Sequence, residues 1–173
     1  MILMTKTLTS TQVFIKMEKV AIFVDVQNIY YTTRQHYHKH FNYKAFWTKA
    51  TDNKQVIAAF AYAIDRGDPK QRNFQNTLKN IGFQIKLKPY IQRKDGSAKG
   101  DWDVGITLDA IECAEKVDTI ILLSGDGDFD LLLQKARQVY STKSIVYGVT
   151  SLTAPSLINS ADQFIAIENN LLM

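Results

Sequence analysis

Two short runs constrain this chain more than anything else in it. Val20-Ala21-Ile22-Phe23-Val24 and Ile120-Ile121-Leu122-Leu123 contain no polar residue. A strand that is apolar at every position is covered on both faces, as in the middle of a parallel sheet. Each run ends on acid. Asp25 closes the first, and Ser124-Gly125-Asp126-Gly127-Asp128-Phe129-Asp130 follows the second. A helical pattern comes after each. Buried strand, acidic turn and helix, twice over, point to an open α/β sheet, and such sheets bind ligands at the carboxyl ends of their strands. Packing carboxylates together costs free energy unless a cation neutralises them. Hard oxygen donors of this kind suit Mg²⁺ or Mn²⁺. A solvated Asp-Gly turn with an aspartate capping the next helix is the plainer reading of the second segment alone.

The remaining pattern supports the same architecture. Residues 28–37 and 43–49 read as helices and 56–64 as a buried strand. Residues 70–81 read as a helix, with Pro69 in its first turn and Gly82 as its stop. Strands are expected at 83–87, 119–123, 144–149 and 163–167, and helices at 102–115, 129–140 and 154–160. Alternation throughout predicts a three-layer α/β/α sandwich with a mainly parallel sheet, its crossovers placing alternate helices on opposite faces. The polar stretch 89–100 reads as a long loop, and long loops in compact domains are often functional.

The 173 residues suggest one domain. Residues 1–16 are rich in Thr and Ser and lack a period, so they read as a flexible extension to a domain over 17–173. A short strand at 12–15 is the alternative. They lack the long apolar core and cleavage site of a signal peptide. No run approaches the roughly 20 apolar residues of a membrane span. Cys113 is the single cysteine, which excludes an internal disulfide and a cysteine-based zinc site and fits a reducing cytoplasm. The net charge of +4 favours an anionic partner, the more so because the expected site is itself acidic.

A third acidic segment is Lys99-Gly100-Asp101-Trp102-Asp103, with Asp109 six residues beyond Asp103. On a helix that spacing spans about 9 Å and turns by about 120°, so both cannot bind one ion. Asp103 is the first choice, Asp101 a possible helix cap, and Asp109 either a site acid or a half-buried partner for a lysine. Asn28 either caps its helix or orients a carboxylate. If the strands ending at Asp25 and Asp126 are neighbours, Asp25, Asp103, Asp126 and Asp128 converge. Three or four carboxylates around a divalent ion suit phosphodiester hydrolysis, since the ion activates water and offsets charge on the phosphate. Lys86, Lys88, Arg93, Lys94 and Lys99 precede the acidic helix and could hold phosphates. Trp102, between two acids, is a candidate for stacking a base or for packing. The aromatic stretch Tyr30, Tyr31, Tyr37, Phe41, Tyr43, Phe46 and Trp47 reads mostly as core or a dimer face, with one or two members free to stack bases. His36, His38 and His40 alternate and do not share a helix face, which favours a surface patch over a zinc site.

The ordered motifs Val24-Asp25-Val26-Gln27-Asn28, Lys99-Gly100-Asp101-Trp102-Asp103 with Asp109, and Ser124-Gly125-Asp126-Gly127-Asp128-Phe129 closely resemble the NYN domain in its LabA-like bacterial branch. The resemblance spans residues 19–167. It implies a PIN-like fold and a metal-dependent ribonuclease that acts on single-stranded or structured RNA with Mg²⁺ or Mn²⁺. Asp25, Asp103, Asp126 and Asp128 match the family's acidic centre, Asn28 its first-motif asparagine and Asp109 its later acid. Asp130 falls near a position acidic in some eukaryotic relatives. A non-catalytic RNA-binding or regulatory module is the alternative that family membership leaves open, and a homodimer is compatible with either. A phosphatase of the haloacid-dehalogenase type would want an aspartate where Gln27 stands. A dinucleotide binder would need a glycine-rich turn that Val26-Gln27-Asn28 lacks.

Overall fold

A computed structural model describes residues 16–89, 91–92, 98–99 and 101–173. The expected extension, apart from Lys16, lies outside them, as do Arg93 and Lys94. Six strands form one all-parallel sheet: β1 (Glu18–Asp25), β2 (Lys54–Asp65), β3 (Gln84–Pro89), β6 (Thr119–Leu123), β7 (Lys143–Gly148) and β8 (Gln163–Ala166). Two short strands, β4 (Ile91–Gln92) and β5 (Ala98–Lys99), pair antiparallel with each other, so part of the stretch read as a loop is a two-stranded arm. The helices are α1 (Val26–Tyr37), α2 (Tyr43–Thr51), α3 (Pro69–Ile81), α4 (Asp103–Ala114), α5 (Asp130–Tyr140) and α6 (Pro155–Ser160).

The sheet runs β3-β2-β1-β6-β7-β8. The chain starts in the middle, works outwards to β3, then returns to the other side of β1. This reversal fixes where the helices go. Right-handed crossovers that advance in one direction all land on one face, and reversing direction moves them to the other. Accordingly α1, α2 and α3 cover one face and α4, α5 and α6 the other. The helices do not alternate from one to the next as expected; they divide by halves of the chain.

β1 shows why its run is wholly apolar. Val20, Ile22 and Val24 pack with Ile29, Phe46 and Leu78 from the first three helices. Ala21 and Phe23, pointing the opposite way, pack with Ile106, Leu132 and Leu157 from the last three. All five strand residues are fully buried.

Helix ends follow local chemistry. Asp25, Asn42 and Asp68 accept backbone N–H bonds at the starts of α1, α2 and α3. Gly82 ends α3 at φ 135°, and a Cβ there would fall 2.6 Å from the Trp47 ring. Conformation and space both exclude a side chain. Gly82→Ala is therefore expected to destabilise the fold by about 2–4 kcal/mol. A urea midpoint unchanged from wild type would show that the α3–β3 turn yields freely.

Candidate active site at the ends of β1 and β6

The order of strands reverses between β1 and β6, which pair in parallel from Val20–Thr119 to Val24–Leu123. The next residues are Asp25 and Ser124, so the two acidic turns lie side by side at the topological switch point.

Backbone and side chains stitch these turns together. Asp25 Oδ1 accepts the Asn28 N–H at 3.1 Å, and its Oδ2 accepts the Ser124 hydroxyl at 3.4 Å. Asn28 Oδ1 accepts the Gly125 N–H at 2.9 Å. Ser124 is fully buried, and its Oγ also accepts the Asp126 N–H at 3.2 Å. Asp126 Oδ1 accepts the Asp128 N–H at 3.0 Å, turning the chain through a single 3-10 turn into α5. The α1 cap is thus Asp25, and Asn28 instead spans from one strand end to the other. Gly125 is needed for the close approach of the segment after β7: its carbonyl accepts the Ala154 N–H, and a Cβ would meet the Leu152 oxygen at 2.8 Å.

Electrostatics place a third element at the same point. Asp103, the first residue of α4, has its carboxyl pushed up to about 6 by partial burial and by the charges of Asp126, Asp101, Asp25 and Asp128. Asp25 is also raised to about 6, by burial and then by Asp126, against the lowering effect of its hydrogen bonds. Carboxylates from β1, the β6–α5 turn and the start of α4 therefore share one field. The donor set fits a hard divalent ion in kind. As they stand, no three His, Cys, Asp or Glu side chains among the described residues are grouped closely enough to hold one. Asp25 and Asp126 each turn one oxygen to a backbone amide.

Other expected site residues do different work. Asp101 is exposed and does not cap α4, whose start lacks a side-chain cap; its backbone oxygen accepts the Lys88 ammonium at 2.9 Å. Asp109 accepts both the Tyr62 hydroxyl and the Lys86 ammonium at 2.6 Å, one partner being on β2 and the other on β3. Lys86 also sits 4.4 Å from the Phe60 ring centre. It is a packed ion-pair partner and not a lysine waiting for phosphate. Lys86→Ala is expected to cost about 1–2 kcal/mol by stranding Asp109, discounted for their partial exposure. The urea midpoint should recover in part when Asp109→Ala is added; a double variant weaker than the sum of both singles would discount the pair.

Trp102 donates its indole N–H to the Ala63 oxygen at 2.9 Å, and its ring packs on Tyr62. Lys88 lies 4.3 Å from that ring, and a Cβ on Gly105 would come within 2.6 Å of it. Packing, not display, is its arrangement here. The backbone of Lys99 lies in β5. Asp130 opens α5, where a negative charge suits the helix dipole. His36 meets the Ser151 hydroxyl, His38 adopts the left-handed conformation that ends α1, and His40 faces Tyr30.

No helix among the described residues is long and apolar enough to cross a membrane. Comparison with known proteins agrees with the fold. A family model of the NYN domain matches residues 19–168. The chain is 25% identical over 164 residues to the low amplitude and bright protein LabA of Synechococcus elongatus, covering 87% of this chain and 84% of that one. It also superposes, with a TM-score of 0.87 and 58% identity, on the crystal structure of a protein of unknown function from Vibrio parahaemolyticus, covering 91% of this chain and 97% of that one.

Proposed function

Because the chain belongs to the NYN domain family, we propose that it is a ribonuclease that hydrolyses RNA phosphodiester bonds with Mg²⁺ or Mn²⁺ held by Asp25, Asp103, Asp126 and Asp128. One observation carries the proposal: carboxylates from three separate elements share one electrostatic field at the switch point of the sheet, and two of them are raised to about 6. Such crowding weakens the fold. Groups that are costly to the fold and strongly perturbed collect at functional sites.

A bound divalent ion supplies an activated water at neutral pH and offsets charge on the phosphate under attack. The chain supplies the framework. Asn28 fixes the separation of the two strand ends through the Gly125 amide. Ser124 steadies Asp25 and the turn of Asp126 from a buried position. Asp103 brings its charge in from the opposite face of the sheet, at the start of α4. Flexible, unpaired RNA is the favoured substrate, because its phosphate can be brought up to the acidic turns.

A second reading has an observation of its own. The acids are not grouped for an ion as they stand, which favours an RNA-binding module without turnover. Purified protein incubated with single-stranded and structured RNA and DNA, in Mn²⁺, Mg²⁺ or EDTA, separates the two. Cleavage of RNA that requires the metal and is lost in Asp126→Asn supports the nuclease. Tight RNA binding with no cleavage under any condition supports the module.

A further inference from the structure

A cleft of about 810 Å³ opens between α1, α3 and the start of α2. Its lining begins at the residue after Asp25. Val26 and Gln27, the two residues after Asp25, line it, and the Asp25 charge reaches the Tyr43 phenol in its floor, which burial and that charge both raise. A cavity of this size belongs to the range that takes small organic ligands.

The lining is largely apolar, with Phe74, Leu78, Ile81 and Met173 among it, and carries two further features. Of the seven aromatics from Tyr30 to Trp47, only Tyr30 and Tyr31 are largely exposed, at 49% and 52%. They meet edge to face at 5.4 Å, on the wall formed by α1. Phe41, Tyr43 and Phe46 are buried in the core, so the aromatic stretch divides into a packed majority and two displayed rings. The rim is cationic. Among the described lining residues, Lys44, Arg66 and Lys70 stand against the single acid Asp68, whose Oδ1 caps α3 by accepting the Lys70 backbone N–H at 2.8 Å. The Arg66 guanidinium donates to the Tyr31 hydroxyl at 3.4 Å, which ties the rim to the displayed rings.

We propose that this cleft seats one or two unpaired nucleotides of the RNA strand, flanking the phosphate presented to the Asp25 end of the site. The inference rests on the ribonuclease reading and adds the path of the substrate. Displayed rings stack on any base, and cations on a rim hold the phosphates that link them. A base still paired in a duplex would have to leave its stack to enter, so the cleft selects single strands. It also differs from the expected path along Lys86, Lys88, Arg93, Lys94, Lys99 and Trp102, of which Lys86, Lys88 and Trp102 have side chains engaged with Asp109, with the Asp101 oxygen and with Ala63.

A photo-crosslinking experiment tests this. A short single-stranded RNA carrying 4-thiouridine is bound to the Asp126→Asn protein, irradiated, and the crosslinked peptides are identified by mass spectrometry. Crosslinks are expected in α1 at Tyr30 or Tyr31, or in α3. In the wild-type background, the Tyr30→Ala/Tyr31→Ala pair should raise KM for single-stranded RNA on the order of tenfold or more. Lys70→Glu, on an exposed helix surface, should raise KM and flatten its salt dependence, with an unchanged melting temperature to show that folding is intact. Crosslinks confined to the Lys88 and Trp102 edge, with KM unmoved in both variants, would overturn the cleft and leave the nuclease standing. Absence of both binding and cleavage sinks the two together. If RNA is bound and never cleaved, the crosslink positions still decide the cleft. Loss of a dimer in the tyrosine variant, without a change in KM, would assign the cleft to a second copy of the chain.

Discussion

Asp126→Asn is expected to slow metal-dependent RNA cleavage on the order of a thousandfold while leaving RNA affinity nearly intact. Asp126 is singled out by its reach: its charge raises both Asp25 and Asp103. The asparagine keeps an acceptor for the Asp128 N–H, so the turn into α5 survives. What disappears is one negative charge at the centre of the group. An ion held there contributes several kcal/mol of charge stabilisation in the transition state, and each 1.36 kcal/mol is a factor of ten in rate. Single-turnover cleavage of a labelled single strand measures the loss, and a gel-shift titration of the same RNA measures affinity. Equal rates in variant and wild type would assign the activity to a contaminant or to another site. A parallel loss of affinity would mean that Asp126 shapes the RNA-binding surface, and the proposed division between acids and cleft would fail.

How far the sequence foretold this arrangement depended on the range of the interactions involved. The strands and helices were legible because each is written locally. The runs of β1 and β6 are apolar without interruption, Pro69 and Gly82 punctuate α3, and period-two and period-3.6 patterns separate the rest. The pairing of the strands that lead into Asp25 and Asp126 was legible too, since two wholly apolar strands are natural neighbours at the centre of a sheet. The side of the sheet that each helix covers was not, because it depends on the reversal after β3, which no local signal marks.

The same limit governed the site. Asp103 and Asp109 share a helix, and their separation told which of them could not join the other, but not what each would meet. Asp109 meets Lys86 and Tyr62, which come from strands 23 and 47 residues before it. Once that pair forms, Lys86 is withdrawn from the list of phosphate-binding lysines. Lys88 and Trp102 are engaged in the same way, through contacts made only when β3 lies beside β2. Tyr30 and Tyr31 are the converse case. Adjacent residues on a helix point about 100° apart, and which of them is displayed depends on where α2 and α3 pack against α1. The cleft between these elements belongs to their packing rather than to any one segment of sequence.

Asp25→Asn is expected to stabilise the metal-free protein at pH 7 while abolishing metal-dependent cleavage. The carboxyl of Asp25 is raised from its ordinary value of 3.8 to about 6 because burial and Asp126 penalise the charge more than Asn28, Ser124 and Gln27 favour it. The folded state then holds this proton more tightly than the unfolded state. Between those two values the native chain carries more protons, so stability falls as pH rises from about 4 to about 6 and stays reduced above that. The ionised carboxylate costs about 3 kcal/mol at pH 7 by this reckoning. Asparagine carries no charge and still offers Oδ1 to the Asn28 N–H, so the α1 cap persists. In EDTA at pH 7 the variant should melt several degrees above wild type, and the gap should close as pH falls towards 4. Millimolar Mn²⁺ should reverse the order, because the ion binds the wild-type site and stabilises it by mass action while the variant has lost a ligand. Asp103 is raised for the same kind of reason and should follow in the same direction, more weakly because it is less buried. A variant less stable than wild type in EDTA at pH 7 would mean that Asp25 is held mainly by its hydrogen bonds. A melting temperature indifferent to Mn²⁺ in wild type would remove the ion from Asp25 altogether.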